Sequence, residues 1–191
     1  MGEAVFQRES AVEFFRQLVD DALANQHIAA GELTEFYVVN LLAGFLQRPA
    51  GDAEPLVLQL ARALDAGGQQ QRTTLRQIGD LSLFMSGFFS DSLRRKLVDV
   101  DYYVHIGGFA YGSLSRDDTD ALATVFGELA EKFVAFVDVL NEVSERTSCA
   151  SNTDLLRLYE KWLQTGSRRS GQLLIERGVL PNASGRSHIV Q

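Results

Sequence analysis

Asp101 and His105 stand one helical turn apart in this 191-residue chain, the spacing at which two side chains share a helix face. A carboxylate four residues before an imidazole can orient the ring for acid–base work, or both can ligate a metal. Gly108 and Gly112 continue that face at three- and four-residue steps, with Tyr102, Tyr103 and Phe109 beside it. The preceding segment repeats the theme with Gly79, Ser82, Ser86 and Ser90 on one stripe, Asp80 next to it, and Tyr111 following later. Glycine costs a helix about 1 kcal/mol relative to alanine, so the glycines at 79, 87, 107, 108 and 112 need a physical reason.

Two reasons compete. Small faces let two helices touch, or they leave room for a flat or bulky ligand walled by polar groups. The second reading defines a candidate ligand-binding set of Gly79, Asp80, Asp101, Tyr102, His105, Gly108, Tyr111 and Gly112. Haem, a metal or a small apolar molecule are the ligand classes such a site would take, and the sequence selects no cofactor among them. A metal as a rule needs at least three protein ligands, and nothing in the spacing supplies a third beside Asp101 and His105. No residue is assigned as catalytic. Asp80, Asp99 and Asp101 could act with the tyrosines as acid–base pairs, but acids near helix starts are commonly caps.

Familiar catalytic patterns are missing. The chain has no Glu-x-x-His, no His-Glu-x-x-His, no Walker A loop and no Gly-x-Ser-x-Gly elbow. The glycine-rich string from His105 to Gly112 does not follow a strand, so a dinucleotide site fails on context. Gly79-Asp80-Leu81-Ser82 is similar to the distal-helix tetrapeptide of haem oxygenases, another all-helical family. The resemblance covers four residues. Leu83-Phe84 stand where that family has a second glycine pair, and His27 is too near in sequence for its proximal ligand. The chain is not read as a member.

The elements that must position these residues are helical throughout. Val12, Phe15, Val19, Ala22 and Leu23 recur at three- and four-residue steps and predict a helix over about 9–25. His27 follows its end, where a cation suits the dipole. A second helix over about 32–46 carries Leu33, Phe36, Tyr37, Val39, Asn40, Leu41 and Phe45, apolar nearly all round, and is expected in the middle of the domain. Pro55 opens a third helix that Gly67-Gly68 stops. Helices over about 70–89 and 100–114 follow, separated by a short basic stretch at Arg94, Arg95 and Lys96.

Ser115, with Asp117 and Asp118 in the first turn, predicts the capped start of a long helix. Leu122, Phe126, Leu129, Phe133, Phe136, Leu140 and Val143 give it a heptad seam, and at 1.5 Å per residue it would span roughly 40 Å. Val125 and Val137 widen the stripe, which favours packing inside the bundle over packing on a partner chain. Ser151–Thr153 caps a helix reaching about 164, with Leu155, Leu158, Tyr159 and Trp162 on one face. A last helix ends before Gly178.

The expected architecture is a single all-α domain over 1–180, a bundle of about seven to eight helices, with a loosely ordered tail over 181–191. The apolar share of 46% supplies a core of the size such a domain needs. Cys149 stands alone, which excludes an internal disulfide and a cysteine-based zinc site. The net charge of −7 opposes nucleic-acid binding, because the chain and a phosphate backbone repel. No apolar run approaches a membrane span and the N-terminus lacks the order of a signal peptide, so a cytoplasmic protein is expected. The function expected is that of a non-enzymatic interaction or regulatory module, acting through protein partners or its own dimer. The alternative is a ligand-binding or enzymatic bundle with its site between helices 70–89 and 100–114.

Overall fold

The computed structural model describes residues 2–45, 54–93, 100–116 and 121–147, together with Leu158, Tyr159, Trp162, Ser167, Ser170, Gly171, Leu173 and Leu174. Asp99, Arg94–Lys96, Asp117–Asp118, Cys149, Ser151–Thr153, Gly178, His188 and the 181–191 tail lie outside them, as does most of the expected 151–164 helix. Among the described residues the chain is all-α: α1 (Gly2–Asn25), α2 (Glu32–Phe45), α3 (Leu56–Asp65), α4 (Gly68–Phe88), α5 (Ser90–Leu93), α6 (Val100–Leu114), α7 (Ala123–Glu131) and α8 (Phe133–Arg146). None of these helices is long and apolar enough to cross a membrane.

The expected apolar face of α1 is the buried one, with Phe15, Val19, Ala22 and Leu23 in the core and Val12 partly covered. Its end is a Schellman turn. His27 N–H donates to Ala24 O at 3.2 Å and Ile28 N–H to Leu23 O at 3.0 Å, with His27 at φ 56° in the left-handed position that usually takes glycine. The role of His27 here is therefore carried by its backbone.

α4 is the central element. It packs on α6, α8 and α3, while α1 packs on α2 and α8, and α6 on α7. Its C-terminal half is buried from Ser82 to Phe88. Phe84 anchors an aromatic cluster there, stacked on Phe45 with centroids 4.3 Å apart and touching Phe88, Phe89 and Tyr159. Tyr159 and Trp162 are buried in contact with each other, so this part of the C-terminal chain joins the same core.

Two expectations need correction. α2, expected in the middle of the domain, is open on one side: Leu33 and Phe36 are 62% and 65% exposed, while its other residues meet α1, α4 and α7. The single helix expected from Ser115 onward is two segments. Ser115 Oγ donates back to Gly112 O at 3.0 Å, closing α6, and α7 begins at Ala123 after an N-cap Leu122 that makes no side-chain cap bond. The backbone then departs from helical geometry at Lys132 (φ −104°, ψ 24°). Lys132 N–H still donates to Glu128 O and Phe136 N–H to Lys132 O, so the seam keeps its phase across the break. Phe126, Leu129, Phe133, Phe136, Leu140 and Val143 all face the interior of this chain.

Candidate functional site

The expected set divides into two groups in space. Gly79, Asp80 and Tyr111 come together where α4 crosses α6. A Cβ on Gly79 would lie 2.6 Å from Tyr111 Cε1, so the glycine is the only residue that lets the buried phenol ring lie flat on α4. One layer along, a Cβ on Gly107 would strike Phe133 and sit 2.7 Å from Ser82 Cβ. The small-residue faces therefore meet aromatic rings and each other. At this face the residues do not fit a haem, because Tyr111 and Phe133 already fill the space that a macrocycle would need.

Asp101, Tyr102, His105, Gly108 and Gly112 do not join that group. Asp101 and His105 are exposed on α6. His105 Nδ1 lies 2.7 Å from the Asp101 backbone carbonyl oxygen, which makes Nδ1 the donor and the carbonyl, not the carboxylate, the group orienting the ring. Tyr102 accepts a hydrogen bond from Val57 N–H at 3.2 Å and so ties the start of α3 to α6. A Cβ on Gly108 would meet nothing within 4 Å, and one on Gly112 would meet only Ala130 at 3.8 Å. Among the described residues no group of three His, Cys, Asp or Glu side chains is placed to hold a metal ion.

The polar centre is Asp80, reached from three helices. Tyr37 Oη on α2 donates to Asp80 Oδ1 at 2.6 Å, and Tyr111 Oη on α6 donates to the same oxygen at 2.8 Å. Arg76, one turn before Asp80, donates from Nε to Tyr37 Oη at 3.0 Å, and that Nε lies 3.9 Å from Asp80 Oδ2. Its guanidinium carbon sits 5.1 Å from the centroid of the Tyr37 ring, within cation–π range. Phe126 of α7 closes the back, edge-on to Tyr37 and stacked on Tyr111.

The electrostatics follow from burial beside a carboxylate. Burial first, and Asp80 second, push both phenols well above the usual tyrosine range, so each keeps its proton and stays a donor. Burial opposes the Arg76 charge, but Tyr37 and Asp80 beside it outweigh that effect and hold the guanidinium more firmly protonated. Two neutral phenols and one fixed cation thus stabilise one carboxylate. Chemically this is a lock between α2, α4 and α6.

A half-open groove of about 280 Å³ lies against this lock. α2 lines it with Tyr37, Asn40, Leu41, Gly44 and Phe45, and α4 with Arg76 and Asp80. Leu33 and Phe36 stand on the outer side of the same helix, forming an apolar ridge beside the groove. Sequence reasoning found Asp80 and Tyr111 but missed Tyr37 and Arg76. The available signals were the i,i+4 spacing of Arg76 and Asp80 and one tyrosine on an otherwise apolar helix.

A second polar cluster joins α7 to the α1–α2 turn. Glu128 accepts from Thr34 Oγ1 at 2.6 Å, from Gly31 N–H at 3.1 Å and from Lys132 Nζ at 2.9 Å, while Lys132 also donates to Ala29 O at 2.7 Å. Burial would raise the Glu128 carboxyl, but these donors outweigh it and hold it below the usual carboxylate range. It fixes the turn that leads into the exposed ridge. Comparison of the chain with protein-family models, with curated proteins and with solved structures finds no match to any of them.

Proposed function

We propose that this chain is a non-enzymatic helical interaction module that contacts a protein partner through the outer face of α2. The observation that carries the reading is the exposure of Leu33 and Phe36, 62% and 65%, one turn apart on a helix that buries eight other residues in the core. Covering the remaining surface of the two side chains is worth about 1 to 2 kcal/mol each, together roughly 30- to 1000-fold in affinity. Lone exposed apolar residues need no explanation, whereas a paired leucine and phenylalanine at one turn form the kind of centre that carries binding energy.

The chemistry of the partner follows from the rim. Glu32 and Glu35 flank the ridge, and Asp20 stands across on α1. Burial, then Asp20, Glu32 and Glu128, push the Glu35 carboxyl up, while Arg16 offsets part of this. A partner surface with an apolar centre and a basic edge relieves that crowding. The heptad seam of α7 and α8 supports no such role, since its side chains are used inside the chain.

The experiment compares the chain with a Leu33→Ser/Phe36→Ser variant at native abundance in host lysate, by size-exclusion chromatography. The wild type elutes above its 21.1 kDa monomer mass and the variant at that mass, with unchanged melting. Phe109→Ser, at another exposed aromatic residue, leaves the wild-type elution in place. A monomeric wild type, or a variant that stays in the larger species, refutes the reading.

A further inference from the structure

We propose that the groove between α2 and α4 binds a small organic carboxylate with an apolar body, a site that adjoins the protein contact at Leu33 and Phe36 but takes a different ligand. The cation is built in. Arg76 is committed through Nε to Tyr37 Oη at 3.0 Å and held over the Tyr37 ring, which fixes the plane of the guanidinium. Its terminal amino groups make no hydrogen bond among the described residues, and half of the side chain is exposed along the groove. A guanidinium held flat with its outer donors accessible is the group that matches a carboxylate in two parallel hydrogen bonds.

Asp80 keeps its charge and partners Arg76 on the Nε side, with Oδ2 3.9 Å away and Oδ1 held by two phenolic protons, so the ligand's contact is with the terminal amino groups. Asp80 therefore acts as the anchor that holds Tyr37, and through Tyr37 the guanidinium, in place. Asn40, whose Nδ2 donates to Phe36 O at 2.8 Å, also lines the groove.

The apolar wall is Leu41 and Phe45, and at Gly44 a Cβ would meet no atom of the described residues within 4 Å. A volume of about 280 Å³ is just below the usual range for small-molecule sites and suits a single ring or a short chain. The ligand thus places its carboxylate on Arg76 and its body along Leu41 and Phe45.

The test uses calorimetry and ligand-observed NMR on the purified full chain with benzoate, phenylacetate and octanoate as probes, and benzyl alcohol as the uncharged control. At least one carboxylate binds, and benzyl alcohol binds at least tenfold more weakly. Gly44→Phe starts from a Cβ that meets no described atom within 4 Å, places its ring in the groove and abolishes binding while the melting temperature holds. Arg76→Gln reduces affinity at least tenfold. Absence of binding by all three carboxylates, equal binding of the alcohol, or binding that survives Gly44→Phe overturns the proposal.

Discussion

Removing one phenolic hydroxyl from the Asp80 cluster should destabilise the whole domain by an amount set by its geometry. Tyr111 is fully buried, and its hydroxyl donates to a carboxylate oxygen at 2.8 Å. A hydrogen bond to a charged acceptor contributes about 1.5 to 3 kcal/mol. Because Asp80 Oδ1 keeps the Tyr37 donor at 2.6 Å, Tyr111→Phe should fall in the lower half of that range, about 2 kcal/mol. For a chain of this length that corresponds to a melting shift of about 4 to 8 °C. Asp80→Asn costs more, about 3 kcal/mol, because it weakens both phenolic bonds and leaves Arg76 without its counter-charge. The two changes share a bond, so the double variant should be at least about 1 kcal/mol more stable than the two losses added together. Urea unfolding with an unchanged denaturant slope measures all three values. Tyr111→Phe costing under about 0.5 kcal/mol, or strict additivity with Asp80→Asn, would show that the cluster is not a coupled unit.

Three further outcomes follow from the packing and the electrostatics. Gly107→Ala drives a methyl into Phe133 and Ser82; the overpacking of about 1 to 3 kcal/mol exceeds the roughly 1 kcal/mol gained in helix propensity, so urea unfolding should show a net loss. His27→Gly should stabilise the chain by about 0.5 to 1 kcal/mol, since it relieves the left-handed strain at φ 56° in an exposed cap; a thermal melt lower than wild type contradicts this. Tyr37 and Tyr111 have folded-state values raised above the ordinary 10.0, so their contribution is complete below pH 10 and is lost as pH rises beyond it. In an alkaline titration followed at the tyrosinate band, Tyr37 and Tyr111 should therefore ionise only together with loss of helical circular dichroism.

The helices were legible in the sequence where periodicity and punctuation agreed. α2 begins and α6 ends at their expected bounds, Glu32 and Leu114, because each pairs an apolar face with a clear boundary there. The break at Lys132 was not legible, since the heptad pattern runs through it in phase and Lys132 is tied to Ala29 far away in sequence. The choice between touching and ligand-lined small faces at Gly79 and Gly107 was also a tertiary matter. It turned on Tyr111 and Phe133, whose rings lie on those glycines. Asp101 and His105 carried the right spacing, but spacing does not fix which way a helix face turns, and this one faces solvent. Asp80 was visible as a polar residue in an apolar helix. Its phenolic partners came from helices 43 and 31 residues away, beyond any local pattern.

The central claim is that the outer face of α2 is the surface this chain presents to a partner. Site-specific photo-crosslinking in the native host tests it most directly, with the reactive group placed at Leu33 or at Gln77, an exposed polar position on α4. The account predicts one dominant covalent product from position 33, lost when Phe36 is changed to serine, and none from position 77. Equal labelling from both positions, or a product from position 33 that persists in the Phe36→Ser background, would contradict it.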